Sequence, residues 1–257
     1  MGRDEEIVKS YEGWLGSSAG AWADRRECEL IMSLLQPRIG ERLLDVGCKT
    51  GHHLAHFKRK GCTVTGVETS PVILEAARKK MGEQADLYRG DCDDLPFSDN
   101  EFDIVTMITF PEKAVDIRKA VSEAIRVSRN RVFLGVLNRM SLSAPSLRKA
   151  GSICAPIESV SYYFGPFSLI RMVKHIMGDI PVLWGSVIFL PLSWYPAAGL
   201  YEEKIPLLKN PFGAFVGISF PVVFSRRTLQ KPIKNSLKTP LRGSDHVPGT
   251  ATREIKQ

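Results

Sequence analysis

The stretch RLLDVGCKTGHHL, residues 42–54, decides how the chain is read. Its apolar run, Arg42 to Val46, has strand length. A turn follows with Gly47 and Gly51, and then a helical pattern runs from Gly51 to Lys60 until Gly61 stops it. A strand, a glycine turn and a helix in that order bring a ligand against a helix N-terminus, and the two glycines let the backbone approach it closely. Lys49 stands where such a turn ordinarily takes a small residue. If its φ is positive, the lysine costs about 1 kcal/mol or more. If it points outward it costs little, and its amine can meet a ligand carboxylate. The expectation is a side chain that leaves the turn toward solvent or toward such a carboxylate.

Outward from this stretch, strand and helix patterns alternate. Apolar residues recur at helical spacing between Asp4 and Leu35, giving one or two helices that end at Pro37 to Gly40. Strands are expected at 62–67, 85–90, 102–108 and 131–137. Ser70-Pro71 supplies an N-cap and a first-turn proline for a helix to about Met81. Ile117, Ala120, Val121, Ala124 and Ile125 make one face of another helix. After Asn138 the rhythm breaks, with a helix near Phe167 to Met177 and strand candidates at 182–191 and 213–224. Alternation of this kind predicts an α/β fold: a doubly wound, mostly parallel seven-stranded sheet. N-terminal helices and a C-terminal β-hairpin complete it. The expected organisation is one domain over 1–225, with a helical cover at 4–36 and a substrate or lid insertion at about 138–212. Residues 226–257 form a tail.

The tail explains the charge. The formal net charge is +7, yet residues 226–257 hold eight Lys/Arg against two acids, which leaves +1 for the first 225 residues. The basic character belongs to a solvated, poorly ordered extension and not to a folded nucleic-acid face. No nucleic acid is expected as a partner. Five cysteines, at 28, 48, 62, 92 and 154, are scattered without a C-x-x-C pair. That argues against a disulfide framework or zinc site and fits a reducing cytoplasm; no metal is expected. The N-terminus MGRDEEIVKS is not a secretory signal. Residues 180–201 are uncharged but carry three prolines, and they read as buried strands joined by an apolar loop, not as a membrane span.

In a doubly wound sheet the ligand sits at the carboxyl ends of the strands. Besides the Gly47–Gly51 loop, three positions fall there. Glu68, at the end of the second strand, can accept from a ribose diol. Asp91 and the Cys92 amide can hold an adenine edge. Thr106-Met107 closes the fourth strand. Singly each has an ordinary reading: a turn glycine, a solvated strand-end acid, or, for Asp91, Asp93 and Asp94, a helix start or a metal cluster. Their joint spacing at successive strand ends favours a nucleotide site. The loop lacks the G-x-G-x-x-G of dinucleotide folds and the G-x-x-x-x-G-K-[ST] of phosphate loops. Asp45, just before it, would repel a pyrophosphate. A cofactor with a positive amino group and no phosphate suits it better, and S-adenosylmethionine is one.

LLDVGCKTG, VTGVETSPVILEAAR and GDCDDLPFSDNEFDIV resemble the successive motifs of class I S-adenosylmethionine-dependent methyltransferases, closest to the small-molecule branch with the quinone-biosynthesis C-methyltransferases. The resemblance covers about residues 10–137 and extends to PFGAF at 211–215. It implies a Rossmann-like methyltransferase fold. Asp45, Gly47, Cys48 and Gly51 would surround the methionine part of the cofactor, and Glu68 would take the ribose hydroxyls. Asp91 and Cys92 would hold adenine, with Thr106 and Met107 contributing backbone contacts. Tyr11 and Trp14 look like the Y-x-x-W lead of a covering helix, although simple helix packing also accounts for them. The sequence departs from the pattern at three places. Lys49 replaces a glycine, Thr109 stands where relatives often carry glutamate, and Ser128-Arg129-Asn130 replaces a Pro-Gly-Gly turn.

The function these readings imply is methyl transfer to a small, apolar or aromatic acceptor. The alternative is a non-catalytic binding protein that retains the fold. No catalytic residue is nominated. His52 and His53 follow the loop, but as neighbours on a helix they point in different directions. An NAD-dependent oxidoreductase is disfavoured by the missing fingerprint.

Overall fold

Two helices lead the chain, α1 (Arg3–Gly16) and α2 (Ser18–Leu35). Ser17 separates them, its hydroxyl accepting from the Gly20 amide at 3.0 Å. The structure, a computed structural model, describes residues 2–109, 116–141, 163–191, 194–195 and 199–222. The expected tail at 226–257 and the middle of the expected insertion lie outside the described residues.

The parallel strands are β1 (Arg42–Val46), β2 (Thr63–Glu68), β3 (Ala85–Arg89), β4 (Phe102–Ile108) and β5 (Ser128–Asn138). Between them run α3 (His52–Arg59), α4 (Pro71–Met81) and α5 (Ile117–Val127). Beyond lie β6 (Tyr163–Phe164), α6 (Pro166–Met177), β7 (Leu183–Val187), α7 (Gly199–Glu202) and β8 (Phe215–Pro221). The sheet order is β3-β2-β1-β4-β5-β8-β7, with the two-residue β6 pairing β5 off this path. Pairing is parallel from β3 through β5. Strand β8 then runs antiparallel to both β5 and β7. The expected doubly wound, mostly parallel sheet is the one observed.

Side chains alternate along each strand, so each face of the sheet has its own core. Leu43, Ile104, Phe133 and Phe215 face α2 and α3. Leu44, Val105, Val132, Leu134 and Val216 face the other way, with α5 and α6. Because Asp45 and Thr106 keep step with Leu43 and Ile104, both fall on the α2/α3 side. On that side a glycine row crosses three strands, Gly135 opposite Gly217 opposite Gly185. A Cβ on Gly217 would stand 2.8 Å from Phe133 and 3.1 Å from Leu34. The missing side chains are what let the phenylalanine rings and α2 lie against the sheet.

Among the strands two expectations hold and one needs correction. The last two strands form the expected antiparallel pair at one edge of the sheet, joined by residues 188–214. Ser128-Arg129-Asn130 is not a turn: it opens β5 at a register shift between Phe102 and Ile104. Arg129 and Asn130 both donate to Asp103 Oδ1, at 2.7 and 3.0 Å, which holds them extended. Strand β4 spans the expected 102–108, with Thr106-Met107 just short of its last residue and Thr109 beyond it. Among the described residues, no helix is long and apolar enough to cross a membrane.

Candidate functional site

The loop after β1 is the centre of the site. Gly47 and Gly51 adopt φ of 73° and 78°, and Lys49, at 50°, is left-handed too. The strain foreseen for Lys49 is therefore present. The loop turns its amides inward. Gly47 and Cys48 both donate to Val67 O, at 2.8 and 3.0 Å, and Gly51 donates to Cys48 O at 2.9 Å. The Lys49 amide donates to Glu68 Oε2 at 3.1 Å. A pyrophosphate cradle needs such amides free. Here β2 and the loop itself hold four of them, those of Gly47, Cys48, Lys49 and Gly51, so the loop offers a ligand close approach with few amides to spare for an anion.

Asp45 lies beside Thr106 in register, and the Thr106 hydroxyl donates to its Oδ1 at 2.7 Å. Thr106 thus orients Asp45 and does not itself face the ligand space. Asp45 is 1% exposed. Burial pushes its pKa from the ordinary 3.8 up to about 7, although the Thr106 hydrogen bond and the Lys49 charge pull it down; Glu68 pushes it further up. Burial raises Glu68 as well, against the lowering effect of the Ser70 and Lys49 amides. Two carboxyl groups that resist ionisation, side by side, make a site that gains from a cation.

Lys49 is the cation already there. Its ammonium donates to Thr109 Oγ1 across the end of β4 and lies 5.6 Å from the centroid of the Tyr11 ring. The side chain does not leave for solvent, because Asp45 and Glu68 hold its charge inside the site. Thr109 is itself left-handed, at φ 55°, with its amide bonded to Gly135 O at 2.8 Å. The contacts therefore bring together Tyr11, Asp45, Lys49, Glu68, Thr106 and Thr109.

The remaining expected residues stand at the margin. The Gly90 amide donates to Glu68 O at 3.3 Å, which sets the end of β3 beside Glu68. Asp91 is exposed and belongs to a turn bridged to Asp94, not to a helix start. The side chains of Cys92 and Met107 are buried in the core on the opposite face, so only their backbones are available to a ligand. Cys48 is buried on the α2/α3 side. Trp14 packs against that core too, whereas Tyr11 is buried at the site, so the two halves of the Y-x-x-W lead separate. His52 turns toward Asp24 at 2.7 Å. The His53 ring nitrogen Nε2 is buried with no partner among the described residues, and burial lowers its pKa to about 3.

The sequence reading missed the fastening of α1. Thr50 Oγ1 donates to Glu12 Oε1 at 2.6 Å, Lys80 pairs with the same carboxylate, and Ser70 donates to Asp4. Glu12 follows Tyr11 directly, but no motif marks it.

Residues 44–134 match the family described as "Methyltransferase domain". Over 159 residues the chain is 36% identical to a ubiquinone/menaquinone biosynthesis C-methyltransferase of Roseobacter denitrificans, covering 59% of each. Over 170 residues it is 27% identical to a malonyl-[acyl-carrier protein] O-methyltransferase of Serratia marcescens, covering 65% of each. The chain thus spans less than two thirds of the length of these curated relatives. A crystal structure from Thermotoga maritima, described as an S-adenosylmethionine-dependent methyltransferase and possible histamine N-methyltransferase, superposes with a TM-score of 0.68. It is 23% identical and covers 85% of this chain and 97% of that one. The matched segment holds every residue of the site except Tyr11, and over it the chain is similar to S-adenosylmethionine-dependent methyltransferases, whose fold it shares.

Proposed function

We propose that the protein transfers the methyl group of S-adenosylmethionine to a small, apolar or aromatic acceptor. One observation carries the reading: four of the loop's amides are already engaged within the protein, while the buried Asp45 and the partly buried Glu68 beside it gain from a cation. The donor set fits the cofactor. When bound, S-adenosylmethionine supplies a sulfonium methyl already activated for in-line attack. Asp45, oriented by Thr106, accepts from the amino group. Glu68 accepts from the ribose hydroxyls with lone pairs left over from its two amide bonds. Gly47, Cys48 and Gly51 give close approach, and Asp91 and Cys92 meet the adenine edge. Lys49 turns from Thr109 to the cofactor carboxylate. Tyr11, carried on α1, excludes water. The chain's contribution is positioning, and no general base is assigned.

The acceptor class rests on the composition of 138–212. Its described aromatics divide: Tyr195 stacks on Trp22 at 3.7 Å, and Phe167 meets Trp184 edge-on at 5.6 Å. The Trp22–Tyr195 pair is on the α2 side, the face that carries Asp45, and is the better candidate for the acceptor wall. The buried free thiols of Cys28, Cys48, Cys62 and Cys92 fit a reducing compartment such as the cytoplasm.

Titration calorimetry with S-adenosylmethionine tests the site, and release of S-adenosylhomocysteine with a metabolite extract tests the chemistry. Binding with turnover supports the proposal. Binding without turnover on any extract leaves a non-catalytic binding protein, and no binding removes the cofactor assignment.

A further inference from the structure

Helices α2 and α3 meet outside the site just described through an unusual set of side chains. Asp24 and Cys28 stand four residues apart on α2, and His52 and His56 four apart on α3, so each pair shares a helix face. Their donor atoms converge. His56 Nε2 is 3.3 Å from His52 Nε2 and 3.6 Å from Asp24 Oδ2. Cys28 Sγ is 3.9 Å from Asp24 Oδ1, and one donor atom each from Asp24, Cys28 and His56 lies within 4.8 Å of the other two. His52 Nε2 reaches Asp24 Oδ1 at 2.7 Å. All four side chains are largely shielded, at 16% exposure for Asp24, 21% for His52 and 24% for His56, with Cys28 buried.

Zinc–ligand bonds of about 2.0–2.3 Å in a tetrahedron place donor atoms roughly 3.3–3.7 Å apart. The His52–His56 spacing of 3.3 Å and the His56–Asp24 spacing of 3.6 Å match that edge length, and the Cys28–Asp24 spacing of 3.9 Å is close to it. The hydrogen-bonded His52–Asp24 pair must open, and the thiol must draw in toward the imidazoles. A plain helix–helix hydrogen bond needs one imidazole and one carboxylate; it gives no reason for a second imidazole nitrogen and a thiol at the same point. From this convergence we infer that Asp24, Cys28, His52 and His56 form a binding site for one zinc-like divalent cation that clamps α2 to α3. Cys28 coordinates as thiolate, its proton passing to solvent. His56 coordinates through Nε2 and carries its proton on Nδ1. Arg59, which donates to that Nδ1 at 2.8 Å, then swings into the water to which it is already exposed. The expectation of no metal was drawn from the spacing of cysteines. A site with one thiol and two i,i+4 pairs on separate helices leaves no such spacing.

The clamp acts at a particular place. Gly51, the last residue of the cofactor loop, is the N-cap of α3, and His52 is the next residue. A cation there fixes the start of α3 to the helix that covers the first core.

The test uses full-length, chelator-stripped protein and needs no methyl transfer, so its outcome is separate from that of the proposed function. Titration with zinc is expected to give one ion per chain with micromolar or tighter affinity. Cobalt(II) in its place is expected to show the intense visible bands of tetrahedral cobalt and a thiolate-to-cobalt charge-transfer band. His56→Ala should weaken zinc at least a hundredfold, and Cys28→Ser should abolish the charge-transfer band while circular dichroism stays native. His175→Ala, on α6, is the control and should change neither. A wild-type cobalt spectrum that is pale and octahedral with no thiolate band overturns the inference, whether or not any variant folds. So does zinc affinity that stays within threefold in folded His56→Ala.

Discussion

Replacing Asp45 with asparagine should make the ligand-free protein more stable, by an amount that grows with pH. In the fold the Asp45 carboxyl is buried and its pKa stands at about 7, against an ordinary 3.8. The groups facing it are the Thr106 hydroxyl and Lys49, which lower that value, and Glu68, which raises it. A raised folded pKa favours the protonated folded state. Its contribution is therefore intact below the unfolded pKa and is lost as pH rises through the folded one. Integrating about three pH units at 1.36 kcal/mol each gives a loss of about 4 kcal/mol between pH 4 and pH 8. The substituted amide keeps an acceptor for Thr106 but cannot ionise. The stability difference, variant minus wild type, should be near zero at pH 4 and approach about 4 kcal/mol at pH 8. Urea denaturation of both proteins across that range measures it, and taking the difference cancels groups such as Glu41, Asp103 and Glu123, whose pKa values are lowered. A difference that stays constant from pH 5 to pH 8 would refute the reasoning, because Asp45 would then be ionised throughout. The same carboxylate should serve the cofactor, so the stabilised variant should bind S-adenosylmethionine about 10–100-fold more weakly at pH 8.

Glu68→Ala should weaken S-adenosylmethionine by about 1–3 kcal/mol through loss of a charged acceptor; an unchanged dissociation constant in a folded variant would remove Glu68 from the site. Lys49→Gly relieves a left-handed lysine and should leave cofactor affinity within about tenfold, roughly 1.4 kcal/mol. A thousandfold gain would mean that the lysine blocks the pocket. Gly217→Ala should cost about 1–3 kcal/mol in chemical denaturation, since its Cβ overpacks Phe133 and Leu34; a neutral result would show that the rings shift freely.

The parallel half of the sheet was legible because its signals are local. The apolar runs of β1 and β4 have the bounds read from sequence, and Ser70-Pro71 marks the start of α4, where the Ser70 hydroxyl accepts from the Ile73 amide at 3.3 Å. The strand ends that hold Asp45 and Glu68 followed from the same runs. What stayed hidden depends on distant partners. The opening of β5 is held extended by Asp103, more than twenty residues away in sequence. The path of Lys49 is set by Thr109, the buried Asp45 and the partly buried Glu68 on neighbouring strands. No window of sequence contains the Asp24, Cys28, His52 and His56 constellation, since only the packing of α2 near α3 assembles it.

Helix α1 buries a single side chain, Tyr11. Apart from the packing of the partly buried Trp14 against the core, polar ties secure it: Asp4 to Ser70, and Glu12 to Thr50 and Lys80. Surface ties of this kind are worth about 0–1 kcal/mol each and weaken as salt rises. The roof over Lys49 is therefore a low-stability element on a rigid sheet, and amide hydrogen exchange should run fastest along α1 and slowest in β4 and β5. Whatever lies beneath Tyr11 arrives and departs at the tempo of that helix lifting. For a ligand bound as proposed, ionic strength should then act as a throttle on traffic, read most directly in residence time.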